Sequence, residues 1–168
     1  MSDETEIPEP NQGVPAPACA MVIFGASGDL TKRKLIPAIH NLATHRLLPQ
    51  DFAVIGVART GMSDEDFRNR IRDEMKEFAT GELADHVVEW LLPRLSYIAG
   101  ELQDSATFEK LRERLAEADE KWGTKGCYLF YLAVPPSQFY PVVQKLGESG
   151  LAAEEEGKWR RVVIEKPF

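Results

Sequence analysis

The chain of 168 residues is long enough to fold around a single hydrophobic core, so we expect one domain. Hydrophobic residues make up 43% of it and charged residues 28%, as in ordinary globular proteins. The net charge of −7 argues against general binding to nucleic acid or to an anionic membrane. No apolar run approaches the ~20 residues that cross a bilayer. We therefore expect a cytoplasmic protein in which any bound anion is held by a local basic cluster.

The first residues, 1–17, are acidic and rich in proline, and they lack the basic start and apolar stretch of a signal peptide. We predict a disordered leader there and a folded domain over 18–168. Cys19 and Cys127 lie in or beside apolar stretches and are interpreted as buried, reduced thiols. None of the three histidines has a neighbour at a metal-ligand spacing, so the sequence predicts no metal site.

Five apolar runs predict five strands, and segments with apolar residues at helical spacing lie between them. The predicted strands cover 19–25, 52–58, 95–100, 127–134 and 161–166. The predicted helices cover 29–44, 63–78, 82–92, 107–122 and 138–149. Pro37 within the first helix predicts a kink or a break, because proline has no N–H to donate. Ser63 and Asp66 predict a capping box at the start of the second helix.

The alternation of strands and helices predicts an α/β fold, a Rossmann-type doubly wound parallel sheet of five strands. Right-handed crossovers then favour the strand order 3-2-1-4-5. Ligands of such sheets bind beyond the carboxyl ends of the strands, where the strand order reverses. Five loops are predicted to meet at that edge, namely Gly25–Asp29, Ala58–Thr60, Gly100–Leu102, Ala133–Pro136 and Glu165–Phe168.

A glycine turn, Gly25 to Gly28, joins the first buried strand to the first helix. A strand, a tight turn and a helix start together direct backbone N–H groups at an anion. The turn has the pattern G-x-x-G, and Ser27 and Leu30 stand where the dinucleotide fingerprint has its second and third glycines. A purely structural turn is the alternative, because glycine turns between strands and helices are common.

The end of the second strand indicates which coenzyme is bound. Sites that prefer NAD place Asp or Glu there, to accept a hydrogen bond from the ribose 2′-hydroxyl. This chain has Arg59 followed by Thr60. A guanidinium can donate two parallel hydrogen bonds to a 2′-phosphate, and the hydroxyl can add a third. A solvated surface arginine is the alternative, but the position in the pattern favours NADP.

Two lysines are candidates for contacts to further phosphate or substrate groups. Lys34 lies in the first helix, where an exposed helix lysine is the alternative interpretation. Lys166 is predicted to end a buried strand, and it precedes Pro167. A cis peptide bond before that proline would fix the direction of the lysine side chain.

Four segments resemble the glucose-6-phosphate dehydrogenase family, in the family's order and over about 18–168. They are Gly25-Ala-Ser-Gly-Asp-Leu-Thr-Lys-Arg-Lys-Leu, Gly56-Val-Ala-Arg59, Phe130-Tyr-Leu-Ala-Val-Pro-Pro and Glu165-Lys-Pro-Phe. The resemblance implies an enzyme that oxidises glucose 6-phosphate at C1 with NADP. The product is 6-phosphogluconolactone, and the reaction opens the pentose phosphate pathway.

The resemblance also implies roles for particular residues. Arg59 and Thr60 are expected at the adenosine 2′-phosphate, Lys34 near the bound ligands, and Lys166 between nicotinamide and sugar, with Pro167 cis. The coenzyme diphosphate is expected beside Gly25, Ala26, Ser27, Gly28, Asp29, Leu30, Thr31 and Lys32. Glu101 and Leu102, in the loop after the third strand, complete the expected coenzyme contacts. Many members of the family have tyrosine where this chain has Phe139, with Tyr140 beside it, so a hydroxyl contact there is in question.

The family's catalytic base is a histidine held by an aspartate, in an Arg-Ile-Asp-His-Tyr-type segment beyond the Glu-Lys-Pro-Phe signature. None of His40, His45 and His86 lies in such a segment. We therefore expect the chain to be the coenzyme domain without its α+β substrate and dimerisation domain, and to be inactive by itself. The resemblance implies a homodimer or homotetramer for the full-length protein.

Two alternatives remain open. One is a regulatory Rossmann module that binds NADP and performs no chemistry. The other is a different Rossmann oxidoreductase, such as an epimerase or a short-chain reductase. The latter needs a Tyr-x-x-x-Lys pair after the fourth strand, and Tyr140 and Lys145 are five residues apart, one too many.

Overall fold

The computed structural model describes residues 14–78 and 83–165. The strands are β1 Cys19–Phe24, β2 Phe52–Ala58, β3 Leu95–Ala99, β4 Tyr128–Leu132 and β5 Arg160–Ile164. The α-helices are α1 Ile36–Thr44, α2 Asp64–Phe78, α3 Asp85–Leu91, α4 Ser105–Trp122 and α5 Phe139–Glu148. A π-helical turn, Thr31–Leu35, precedes α1, and short 3-10 turns, Leu92–Arg94 and Pro136–Gln138, precede β3 and α5.

The five strands form one parallel sheet in the order β3-β2-β1-β4-β5, which confirms the predicted topology. Strand β1 lies in the centre and all of its residues are buried. Met21 and Ile23 point to a core shared with α1, α2 and α3, whereas Val22 and Phe24 point to a core shared with α4 and α5. Helices on both faces explain why the central strands are apolar without alternation. None of the described helices is long and apolar enough to cross a membrane.

The predicted element bounds need small corrections. Strands β1, β3, β4 and β5 each end before the predicted residue, because the chain turns into the ligand-side loops one or two residues earlier. Helix α4 starts at Ser105 and not at 107, since the Asp104 carboxylate accepts a hydrogen bond from the Ala106 N–H at 3.0 Å and caps the helix there. The predicted capping box is confirmed, with Ser63 and Asp66 each accepting the other's N–H, at 3.1 and 3.2 Å.

The last strand was predicted to be buried, and this prediction is wrong. Strand β5 is an edge strand, and Val162, Val163 and Ile164 are 43%, 37% and 49% exposed. Its apolar sequence resembles that of a central strand, but only β4 pairs with it among the described strands. Burial of a strand depends on what lies on its two faces, and the local sequence does not contain that information.

The opposite edge of the sheet is covered by side chains of α2. The Asp64 carboxylate accepts the outward N–H of Tyr97 at 2.8 Å, and the Arg68 Nε donates to the Leu95 carbonyl at 2.9 Å. Arg114 on α4 forms an ion pair with Asp64 at 2.8 Å. These bonds satisfy edge groups that another chain could otherwise pair with.

Only the last residues of the predicted leader, 14–17, are described, and they have no regular secondary structure. The Ala16 N–H donates to the Leu47 carbonyl at 3.0 Å, so the chain is already attached to the domain before β1 begins. Residues 1–13 lie outside the described part, and the predicted leader remains a prediction there.

Candidate coenzyme site

A cleft of about 420 Å³ opens at the carboxyl ends of the strands, where the strand order reverses between β1 and β4. Four of the five predicted loops contribute to it, and the fifth lies outside the described residues except for Glu165. Its lining residues are Gly25, Ser27, Gly28, Ala58, Arg59, Thr60, Glu101, Leu102, Gln103, Ala133, Val134, Pro135 and Gln138. The predicted edge of the sheet therefore carries a cleft built from the predicted loops.

Gly25 holds the first loop against the end of β4. Its φ is +89°, a conformation that residues with a Cβ rarely adopt. A Cβ at this position would also overlap the carbonyl oxygen of Ala133 and lie 3.1 Å from the Val134 Cγ1. The Gly25 N–H donates to the Val57 carbonyl at 2.9 Å. The glycine thus allows the loop to lie between the ends of β2 and β4, at the floor of the cleft.

Hydrogen bonds between its own residues also stabilise the glycine loop. The Gly25 carbonyl accepts the Gly28 N–H at 2.9 Å and the Thr31 hydroxyl at 3.0 Å. Within the described residues, no backbone hydrogen bond uses the Ser27 N–H at the tip of the loop. Ser27 lines the cleft, and an N–H without a backbone partner, on a fixed loop just before a helix start, is suited to a phosphate oxygen.

The helix after the loop begins with an unusual turn. The Ile36 N–H donates to the Thr31 carbonyl five residues back, which makes this a π-helical turn. Pro37 follows at once, and its missing N–H and its ring are incompatible with a regular bond to the carbonyl of Arg33. The wider turn accommodates the proline without breaking the helix. The predicted disturbance at Pro37 is therefore present, as a widening before α1 and not as a break.

Arg59 and Thr60 follow β2 directly and line the cleft beside the glycine loop. Both side chains are exposed at its mouth. The Thr60 carbonyl accepts the hydroxyl of Tyr97 at 2.5 Å, and the Thr60 hydroxyl lies 3.4 Å from that of Ser27. Burial raises the pKa of Tyr97, so the phenol stays a donor. These contacts fix the Arg59 loop beside the glycine loop.

The structure brings together about half of the predicted coenzyme residues. Seven line the cleft, namely Gly25, Ser27, Gly28, Arg59, Thr60, Glu101 and Leu102. Ala26 is buried beneath the loop. The other described ones lie at the helix start and do not line the cleft, namely Asp29, Leu30, Thr31 and Lys32. Lys34, predicted as a substrate contact, does not line it either. The exposed Asp29 carboxylate forms an ion pair with Arg33 at 2.8 Å.

Several residues of the site lie outside the predicted set. Gln103 and Gln138 line the cleft, one just past the predicted third loop and the other two residues after the double proline. Their proximity to predicted loops was a signal that could have found them. Arg70 on α2 donates to the Ser27 carbonyl at 2.9 Å, and no local pattern connects these two residues.

The substrate-side predictions fall at the border of the described residues. Lys166 and Pro167 lie outside them. The preceding Glu165 accepts a hydrogen bond from the Tyr131 hydroxyl at 2.9 Å. Burial and this carboxylate raise the pKa of Tyr131 to about 12. The bond connects the end of β5 to β4 just before the signature lysine.

The residues after the double proline do not form a reductase site. Phe139 packs against the core, and Tyr140 is 74% exposed. Lys145 donates to the Ser105 hydroxyl at 3.0 Å and to Glu148 at 3.2 Å, so it is bound between α4 and α5. None of these residues lines the cleft. Among the described residues, no group of three or more His, Cys, Asp or Glu could hold a metal ion.

The strand order, the glycine loop and the cleft at the reversal of strand order define a Rossmann-type dinucleotide-binding domain. The family model for the glucose-6-phosphate dehydrogenase NAD-binding domain matches residues 22–168. The chain belongs to the glucose-6-phosphate dehydrogenase family and comprises its coenzyme domain.

Relatives and solved structures agree with this assignment. Glucose-6-phosphate 1-dehydrogenase of Aggregatibacter actinomycetemcomitans is 45% identical over 89% of this chain and 30% of its own length. The Chlamydia muridarum enzyme of the same name is 40% identical over 97% of this chain and 33% of its own length. A structure of glucose-6-phosphate dehydrogenase in complex with glucose-6-phosphate superposes with a TM-score of 0.76 at 33% identity, covering 93% of this chain and 32% of that one. The chain therefore spans about a third of the length of its relatives.

Proposed function

We propose that the chain is the NADP-binding domain of a glucose-6-phosphate 1-dehydrogenase. The relatives are named for that activity, and the chain spans about a third of their length. The observation that carries the choice of coenzyme is Arg59 with Thr60, at the end of β2 and in the lining of the cleft beside the glycine loop. No carboxylate occupies the position that would bind the ribose 2′-hydroxyl of NAD.

Different loops of the cleft would bind different parts of the coenzyme. Arg59 and Thr60 would bind the 2′-phosphate by charge-assisted hydrogen bonds. The Ser27 N–H would hold a diphosphate oxygen beside the helix start, whereas the N–H groups of Ala26 and Gly28 already donate to backbone carbonyls. Gln103 and Gln138 offer amide groups further along the same cleft. When bound, NADP accepts a hydride from C1 of glucose 6-phosphate, and the sugar also loses a proton to give 6-phosphogluconolactone.

The family resemblance implies a histidine as proton acceptor, in a segment beyond the Glu-Lys-Pro-Phe signature, and none of His40, His45 and His86 lies among the cleft residues. We therefore propose that the proton acceptor belongs to the rest of the full-length enzyme. The chain alone is therefore expected to bind coenzyme without turnover. The full-length enzyme would act as a homodimer or homotetramer in the cytoplasm, in the pentose phosphate pathway. Lys166 is proposed to lie between nicotinamide and sugar. Lys166→Ala in the full-length enzyme should then lower turnover severely, and near-normal turnover would remove that role.

The coenzyme assignment is tested by calorimetric titration of the chain with NADP and with NAD. The wild type should prefer NADP, and Arg59→Ala should weaken NADP by about 10- to 100-fold, as expected for charge-assisted hydrogen bonds. NAD should change by less than about twofold, because it carries no 2′-phosphate. Arg72→Ala is the matched control, because Arg72 is an exposed arginine on α2 that donates to the Asn69 side chain at 3.1 Å. Equal affinity of the wild type for both coenzymes would contradict the assignment.

A further inference from the structure

Arg70 connects α2 to the glycine loop. One guanidinium nitrogen, Nη2, donates to the Ser27 carbonyl at 2.9 Å, across a separation of 43 residues. A second nitrogen, Nε, donates to the Glu74 carboxylate at 2.9 Å. Arg70 does not line the cleft, so its guanidinium acts on the loop from behind.

The hydrogen bond fixes one peptide group of the loop completely. The carbonyl of the Ser27–Gly28 peptide accepts from Arg70, and its N–H, on Gly28, donates to the Gly25 carbonyl at 2.9 Å. A peptide group is planar, so holding both polar ends fixes its orientation. The orientation of this plane limits the directions available to the neighbouring N–H groups of the loop. Of these, the Ser27 N–H has no backbone partner and would bind a coenzyme phosphate.

Glu74 holds the guanidinium in place. It lies one helical turn from Arg70 on α2 and is 6% exposed, which is unusual for a carboxylate. Burial raises its pKa, and the hydrogen bond from Arg70 partly offsets that effect. A buried carboxylate needs a partner. The pairing with Nε leaves Nη2 directed at the loop, so Glu74 determines which part of the guanidinium reaches Ser27.

We infer that Arg70, oriented by Glu74, is a positioning residue for the coenzyme diphosphate: it holds the Ser27–Gly28 peptide so that the adjacent Ser27 N–H is directed at the phosphate. The inference rests on the proposed coenzyme function and adds to it a residue that touches neither coenzyme nor substrate. Preorganisation of this kind increases affinity because the loop loses less freedom when the ligand binds.

A purely structural role predicts a different outcome. If Arg70 only attached α2 to the loop, its loss would lower stability and weaken every ligand of the cleft to the same extent. If it orients the diphosphate loop, the loss depends on which part of the coenzyme is present. Adenosine 2′-monophosphate carries the 2′-phosphate and has no diphosphate, so it reports on the Arg59 end of the cleft alone.

The test is calorimetric titration of NADP and adenosine 2′-monophosphate into wild type, Arg70→Met, Arg70→Lys and Glu74→Gln. Arg70→Met keeps an apolar stem and should weaken NADP by about 10-fold, as expected for loss of one charged hydrogen bond. Adenosine 2′-monophosphate should change by less than about twofold. Arg70→Lys keeps a donor for the Ser27 carbonyl and should recover part of the NADP affinity. Glu74→Gln keeps an acceptor oxygen for the Arg70 Nε, and its NADP affinity should stay within about threefold of the wild-type value. Arg72→Met is the matched control and should bind both ligands like wild type.

A second measurement follows the loop without any ligand. Hydrogen exchange of the Gly28 amide should accelerate by about 10-fold in Arg70→Met, because the peptide is then held at one end only. Equal weakening of both ligands, or unchanged NADP affinity in Arg70→Met, would overturn the inference. A wild-type chain that binds neither ligand would instead refute the proposed coenzyme function, and with it this inference. If Arg70→Met does not fold, the affinities of Arg70→Lys for NADP and for adenosine 2′-monophosphate are compared instead. A larger loss for NADP would support the inference, and an equal loss for both ligands would overturn it.

Discussion

Replacing Gly25 by alanine tests whether the floor of the cleft has the geometry described. The substitution adds one methyl group where φ is +89° and where the carbonyl oxygen of Ala133 already occupies the space. An L-residue in a left-handed conformation costs about 1–2 kcal/mol. Overpacking against backbone costs about 1–3 kcal/mol more. We expect the free energy of unfolding of Gly25→Ala to fall by about 2–5 kcal/mol, a large part of the about 5–15 kcal/mol of a typical domain.

The measurement is urea unfolding of Gly25→Ala and wild type, together with calorimetric NADP titration. The midpoint should fall without a change in the slope, and NADP affinity should fall as well, because the end of β4 must move away from the loop. Gly61→Ala is the matched control. Gly61 follows the Arg59 loop, has no heavy atom within 4 Å of a built Cβ and has no positive φ. It should remain as stable as wild type or gain up to about 1 kcal/mol. If Gly25→Ala matched Gly61→Ala in both assays, the described loop geometry would be refuted.

Two further predictions concern stability away from the cleft. Gly147→Ala in α5 should raise the free energy of unfolding by about 0.5–1 kcal/mol, because an added Cβ has no heavy atom within 4 Å and alanine favours the helix. A melting temperature below that of the wild type would contradict this prediction. Asp119→Ala should lower the free energy of unfolding, measured in urea, by about 2–4 kcal/mol, because the Asp119 carboxylate accepts three hydrogen bonds. The donors are the Thr124 hydroxyl at 2.6 Å, the Gly126 N–H at 2.9 Å and the Tyr128 hydroxyl at 2.7 Å. Asp119→Asn, which keeps an acceptor oxygen, should lose less, and equal losses would contradict that account.

The sequence predicts the topology because the main signals are local. Buried parallel strands need apolar residues on both faces, and the run in β1 meets that need without interruption. The capping box of Ser63 and Asp66 is contained in four residues, so it could be predicted and is confirmed. Loops at the carboxyl ends of parallel strands must lie at one edge, so the position of the cleft followed from the order of strands.

Features that depend on distant residues could not be predicted in this way. Strand β5 has the apolar sequence of a central strand, yet Val162 and Ile164 are exposed because of the strand's place in the sheet. Arg70 belongs to an ordinary amphipathic helix by its sequence, and its bond to Ser27 exists only after α2 has packed against the loop. Both features belong to the tertiary arrangement, which local patterns do not encode.

The incomplete glycine fingerprint has a physical explanation in the packing beneath the loop. The third glycine of the fingerprint normally allows close approach of helix and strand, and this chain has Leu30 there. The close approach lies instead at Gly56 in β2, where a built Cβ would be 2.8 Å from the Cβ of Ala26 and 2.7 Å from the Phe67 ring. The second fingerprint position, Ser27, has room for its side chain, which lies 3.4 Å from the Thr60 hydroxyl. The glycines of this chain, Gly25 and Gly56, stand where a Cβ would overlap neighbouring atoms, so the crowding of the packed loop and not the spacing of the fingerprint decides where glycine is needed.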